Sequence, residues 1–305
     1  MKLIPEDAEI FVCTDPDERF EPGWCNTLRE KWVDNATRAQ YTYVWSHTET
    51  GAPTNVFMYD KIHTKGYHWI FPVHEVLWPD DEKEGWEKEV RLDFGQSITL
   101  HHYQDLSVPR KGYMDLLKLA VEEYPNNPHI RHLYCREFIL QNKPNEAYSY
   151  FFQVLNMVPA IFQPQFLLVR LDTFMMLASL AANKGESEEA LYWCNQFLRV
   201  DDTYREPYLL AADIYNARKQ YDRALWVLNL MDSKCTRHYT WVEKSANWLT
   251  MNDFLYANTY LGFGRYEEAL ELYNKVLQYE PNNVDVLKYK VACLEQMKNS
   301  KETAE

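Results

Sequence analysis

The sequence predicts an α/β segment over residues 1–107 followed by an all-α array of helical hairpins over residues 108–305, mostly helical overall. Three observations carry this. Short runs rich in aromatic and β-branched residues mark the first hundred residues. Helical periodicity broken by short turns fills the rest. An alanine recurs at the same place in each helical pair, as expected of an internal repeat.

Length and composition allow this plan. The chain has 305 residues, enough for about two domains at roughly 150 residues each. Hydrophobic residues make up 46% of it, so a full core is feasible; 9 Gly and 14 Pro are too few for a low-complexity linker. No run approaches the ~18 uninterrupted apolar residues of a membrane span. The first ten residues, MKLIPEDAEI, carry acids where a leader would carry an apolar core. The expectation is a soluble, cytoplasmic protein. A net charge of −13 argues against nucleic acid or an anionic membrane as partner. The six cysteines form no CxxC pair, so they read as reduced thiols rather than a zinc or redox motif.

In the α/β segment, Ala8–Thr14 is a short apolar run that reads as a buried strand. Thr27–Val33 reads as a short helix. Gln40–Ser46 alternates and is aromatic, as a strand requires. Asn55–Tyr59 and Tyr67–Phe71 read as two more strands. Six tryptophans (Trp24, Trp32, Trp45, Trp69, Trp78, Trp86) fall here; such rings fill cores or stack on sugars.

In the array, the clearest unit is GRYEEALELYNKVLQYEPNN, residues 264–283. Ala269 lets two helices approach, Tyr273 and Val276 follow on the same face, and Pro281 stops the helix. Its partner helix, NDFLYANTYLGFG, places Ala257 and Tyr260 inward, with Gly262 and Gly264 expected to form the turn. The same pattern surrounds Ala224 (with Ala212 and Tyr215), Ala190 and Ala147. Ala190 and Ala224 stand 34 residues apart, the tetratricopeptide period. The flanking spacings of 43 and 45 imply insertions near Val158–Pro164 and Ser233–Ser245. A final helix near Val284–Met297 completes the array, and its polar tail KNSKETAE suits a frayed cap. The array resembles tetratricopeptide repeats, which implies a curved surface binding a peptide or protein. Gly262-Phe263-Gly264 lacks the strand and third glycine of a dinucleotide fingerprint. The Met175-Met176 and Phe151-Phe152 pairs read as core.

Asp15 and Asp17 flank Pro16 directly after the first predicted strand. Paired carboxylates there face the crevice where open α/β sheets bind ligands and suit a hard divalent cation bridging phosphates. The stretch EDAEIFVCTDPDERFEPGW, the segment KIHTKGYHWIFPVHEVL and the pair His101-His102 occur in that order before the repeats. Together they resemble a family 2 glycosyltransferase of the GT-A fold that carries C-terminal tetratricopeptide repeats.

The resemblance implies metal-dependent transfer of a sugar, with inversion, from a nucleotide-sugar donor to an acceptor. Asp15 and Asp17 would bind the donor. Asp17, with His101 or His102, would hold Mn²⁺ or Mg²⁺. Glu75 would be the base that takes the acceptor proton, with His74 orienting the acceptor or a phosphate. Only fourteen residues precede Asp15, and one strand cannot form a nucleotide pocket. The nucleotide-binding half is therefore expected to be missing or supplied by another chain, and exposed sheet edges to favour self-association. The alternative is an inactive remnant that caps a tetratricopeptide interaction scaffold. A hydrolase using Asp17 and Glu75 has no supporting motif.

Overall fold

The computed structural model describes residues 7–48, 51–81, 87–104, 112–157 and 160–302. Trp86 and the expected boundary at 107/108 lie outside them. The chain divides into two compact units: residues 1–141 with Tyr239–Trp241, and residues 142–238 with 242–305.

The first unit is built on a mixed sheet. Its strands are β1 (Phe11–Val12), β2 (Glu18–Phe20), β3 (Arg38–His47), β4 (Pro53–His63), β7 (Arg91–Asp93) and β8 (Thr99–His102), in the order β1-β4-β3-β8-β2 with β7 also on β3. β3 and β4 form a long antiparallel pair, whereas β7 and β8 run parallel to β3. Helix α1 (Trp24–Lys31) covers the sheet, opened by Gly23 at φ 91°. It starts three residues before the expected helix. Leu28, Ala39, Tyr41, Tyr43, Ile62, Phe94, Ile98 and Leu100 form the core beneath it. The expected strand over Ala8–Thr14 shrinks to the two half-buried residues of β1, because at the sheet edge it pairs only with β4.

A separate hairpin, β5 (Tyr67–Ile70) and β6 (Val76–Pro79), is antiparallel. It packs against α2 (Tyr113–Glu123) and α3 (Pro128–Leu140): Ile70, Phe71 and Val73 share one core with Leu117, Ala120 and Ile130. That shared core keeps α2 and α3 within the first unit. Asn127 caps α3, its side chain accepting from the His129 and Ile130 N–H groups at 2.9 and 3.4 Å.

The second unit holds α4 (Pro144–Leu155), α5 (Leu167–Asn183), α6 (Ser187–Leu198), α7 (Glu206–Ala217), α8 (Tyr221–Lys234), α9 (Thr250–Gly262), α10 (Tyr266–Tyr279) and α11 (Val284–Glu302). They pack as hairpins α5–α6, α7–α8 and α9–α10, with α11 on α10. The recurring Ala147, Ala190, Ala224 and Ala269 are each fully buried, as are Ala212 and Ala257, so backbones approach closely at each crossing. Asn142, Gly185, Lys219 and Gly264 each stand two residues before a helix start with φ between 56° and 81°. One left-handed residue thus closes each of these four turns. Both insertions appear where the spacings put them, between α4 and α5 and between α8 and α9. In the second, the buried Glu206 carboxylate accepts from the Lys244 N–H (2.9 Å) and the Asn247 amide (3.0 Å).

Two expectations for the repeats are corrected. Gly262 is not a turn residue: it ends α9, and a Cβ there would meet the Tyr221 ring at 2.2 Å. Gly262→Ala should therefore cost about 1–3 kcal/mol by overpacking, read as a lower urea midpoint, and Tyr221→Ser should recover most of that loss in the double variant. An unchanged midpoint in Gly262→Ala would refute the packing role. Phe152 is 43% exposed while Phe151 is buried, because adjacent helical residues point about 100° apart and cannot share a face. On α11, Val284, Leu287, Val291 and Leu294 are all exposed.

Candidate functional site

The D-x-D turn joins β1 to β2. The Glu18 N–H donates to the Asp15 carbonyl (3.1 Å), and Glu18 Oε2 accepts from the Asp15 N–H (2.9 Å). The turn therefore leads into a strand, and its two aspartates take different partners.

Asp15 is exposed, and its Oδ2 lies 2.7 Å from Lys61 Nζ. The same ammonium donates to both oxygens of Glu18, at 2.9 and 3.1 Å, and Glu18 also accepts from the Tyr43 hydroxyl at 2.8 Å. The Glu18 side chain has no exposed surface. Burial works against the Lys61 charge, but its bonds to Asp15 and Glu18 outweigh that and hold its pKa above the ordinary lysine value. Burial and the Glu18 bond push the Tyr43 phenol well above its usual range. An ammonium group thus occupies the space between Asp15 and Glu18.

Asp17 is half-buried, and its Oδ2 lies 3.2 Å from His102 Nε2. The pairing of β2 with β8, with Glu18 opposite His102, brings them together. The His102 ring stacks on Trp45 at 4.4 Å, and Trp45 is 44% exposed. His101 takes other partners. Its Nε2 lies 3.0 Å from Glu21 and its Nδ1 lies 2.9 Å from His47 Nε2. Neighbouring strand residues point to opposite faces, so the two histidines do not converge. Mn²⁺ or Mg²⁺ would find two protein donors close together, Asp17 and His102, without His101. Among the described residues no group of three His, Cys, Asp or Glu side chains is arranged to hold a metal ion.

His74 and Glu75 lie between β5 and β6, both exposed. Phe71 and His74 adopt φ of 72° and 54°, a conformation costing on the order of 1–3 kcal/mol per residue. The His74 ring meets Tyr113 edge-on at 5.8 Å. Among the described residues no hydrogen bond or ion pair joins Glu75 to Asp15 or Asp17. Nearby, burial drives His129 down to about 3, so it is neutral at physiological pH.

Sequence reasoning missed Glu18 and Lys61, and named Trp45 only as one of six tryptophans. Glu18 directly follows the motif, and Lys61 opens the segment KIHTKGYHWIFPVHEVL. A lone lysine beside the apolar Ile62 late in a long strand was the available signal for a buried charge seeking a carboxylate.

Within the second unit, Tyr192, Asn195, Gln196, Leu198, Arg199 and Asp202 line an open concavity of about 470 Å³ at the end of α6. Its rim is polar and carries both signs of charge, with the exposed Tyr192 ring on one side.

The tetratricopeptide repeat family model matches residues 260–302. Among curated proteins, no relative matches the chain. Several solved structures are similar. One is a thermophilic tetratricopeptide repeat protein of Thermus thermophilus, at 20% identity and a TM-score of 0.40, covering 59% of this chain and 88% of that one. Another is a tetratricopeptide repeat protein from Parabacteroides merdae, at 17% identity and 0.46, covering 63% and 68%. A third is YrrB, described as having an unusual peptide-binding site, at 15% identity and 0.42, covering 58% and 81%.

Proposed function

We propose that this chain is a protein-interaction scaffold of the cytoplasm whose helical repeats bind a peptide or protein segment. The observation that carries this is the repeated hairpin itself. Fully buried alanines within the hairpins and a left-handed residue at each hairpin turn make a stack whose surface is free for recognition and which has no chemistry of its own. The concavity beside Tyr192 supplies an aromatic anchor and polar groups suited to an extended peptide. A displayed peptide library selected against the whole chain should yield saturable ligands by fluorescence polarisation. Tyr192→Ala with Arg199→Ala should weaken them at least about ten-fold, the loss expected from truncating an aromatic or arginine anchor. Asp17→Ala should leave them unchanged. Selected ligands indifferent to the Tyr192 and Arg199 changes would overturn the assignment of that surface.

A second reading, nucleotide-sugar transfer, is favoured by one observation: the 3.2 Å approach of Asp17 to His102 beneath the exposed Trp45. Against it, Asp15 is already paired with Lys61. Calorimetric titration with Mn²⁺ and UDP separates the readings. Saturable heat lost in Asp17→Ala supports a surviving donor site, and no heat leaves the scaffold reading alone.

A further inference from the structure

The last helix carries a feature the peptide-binding reading does not use. On α11, Val286 and Cys293 are buried and face α10, sharing the core of Ala269, Tyr273 and Val276. The opposite face exposes Val284 (76%), Leu287 (41%), Val291 (55%) and Leu294 (47%). These four stand at intervals of three, four and three residues. That is the spacing of a seam between two helices lying side by side, and it runs about 15 Å along the axis at 1.5 Å per residue. Every other described helix exposes at most two large apolar side chains.

We propose that this stripe pairs with the same stripe of a second copy, antiparallel, across a two-fold axis. Three observations select this occupant. First, a two-fold contact joins like to like, and among the described residues no other helix offers an apolar stripe of matching spacing. Second, the flanks are complementary only when the helices run in opposite directions. Lys288 and Glu295 lie on one side of the stripe, one turn either side of Val291, both exposed. With Val291 facing Leu294 of the second copy, each Lys288 meets the Glu295 of its partner copy, giving two symmetric ion pairs. Third, the chain's charge of −13 opposes contact between copies elsewhere. The terminal helix escapes this: it carries Lys288, Lys290, Lys298 and Lys301 against Asp285, Glu295 and Glu302. The surface is short, so the dimer is weak and concentration-dependent.

Sedimentation equilibrium of the full chain tests this. A reversible monomer–dimer equilibrium is expected. Val291→Glu should be monomeric with an unchanged circular dichroism melt, since an exposed position tolerates the charge in the folded monomer. Lys288→Glu alone and Glu295→Lys alone should each weaken the dimer about ten-fold or more by placing like charges together, and the double exchange should restore it. A chain that stays monomeric at high concentration, its stripe left bare or covered by a different protein, overturns the proposal. So does a dimer that survives Val291→Glu. A double exchange that fails to restore association overturns the antiparallel register.

Discussion

Lys61→Met should destabilise the α/β unit by about 3–5 kcal/mol, the loss expected when one partner of a buried ion pair is removed. Methionine keeps the stem but strands Glu18, whose side chain has no exposed surface and whose remaining donors are the Tyr43 hydroxyl and the Asp15 N–H. Asp15, on the solvent side, loses little, because an exposed ion pair is worth at most about 1 kcal/mol. The asymmetry makes the prediction specific. Adding Glu18→Gln to Lys61→Met removes the stranded charge while keeping an acceptor for Tyr43, and should recover most of the loss. Amide exchange of the β3–β4 pair reads this best, since two compact units need not unfold together. A single-variant loss below about 1 kcal/mol would mean that the ammonium does not compensate Glu18. The direction with pH also follows. Lys61 titrates above the ordinary lysine value in the fold, so its contribution is complete below that ordinary value. It is lost only as pH rises through the higher folded value. Neutral and mildly acidic conditions leave it intact.

The same lysine bears on function. The glycosyltransferase resemblance implies that both Asp15 and Asp17 face a donor and its metal. Here Asp15 is held by a side chain of the protein itself, and only Asp17 has an imidazole neighbour, His102. An array with buried alanines at every crossing needs no such site to bind a partner, which is why the scaffold reading takes precedence.

The repeats were legible because their physics is local. Small residues at crossings, aromatic and branched residues four and seven positions on, and a turn residue that accepts positive φ all lie within one hairpin. The surplus over the 34-residue period even located both insertions. What misled was residue identity without context. Gly262 looks like a turn glycine, yet it is bare because Tyr221 needs the space, a contact that only packing of α8 against α9 creates. Lys219, with no sequence mark of a turn, does at φ 57° what glycine does at 185 and 264. The α/β unit was less legible for the same reason. β2, β7 and β8 are three or four residues long, too short for periodicity to register. Their parallel pairing with β3, or antiparallel pairing across the sheet, is non-local. His101 and His102 are adjacent in sequence and so read as one site, but strand alternation sends them to different partners, and that depends on β8 being a strand at all.

Tyr273→Ala should cost about 3–5 kcal/mol, as for a large aromatic removed from a core, and Tyr273→Phe about 1 kcal/mol for its hydrogen bond. The ring is fully buried among Ala257, Ala269, Val276, Val286 and Cys293, and its hydroxyl donates to Asn258 Oδ1 at 2.7 Å. Because each hairpin packs on its neighbours alone, the loss should be confined to α9, α10 and α11. Amide protection there should fall while that of α5 and α6 persists; an equal fall throughout would mean the array unfolds as one cooperative body. The substitution also separates two causes of lost association. Val286 and Cys293 hold α11 in register through Tyr273, so Tyr273→Ala should abolish self-pairing by releasing the helix, with a fall in stability. Val291→Glu should abolish it with stability intact. If Tyr273→Ala unfolds the last helix and the chain still associates, the surface joining the copies lies elsewhere.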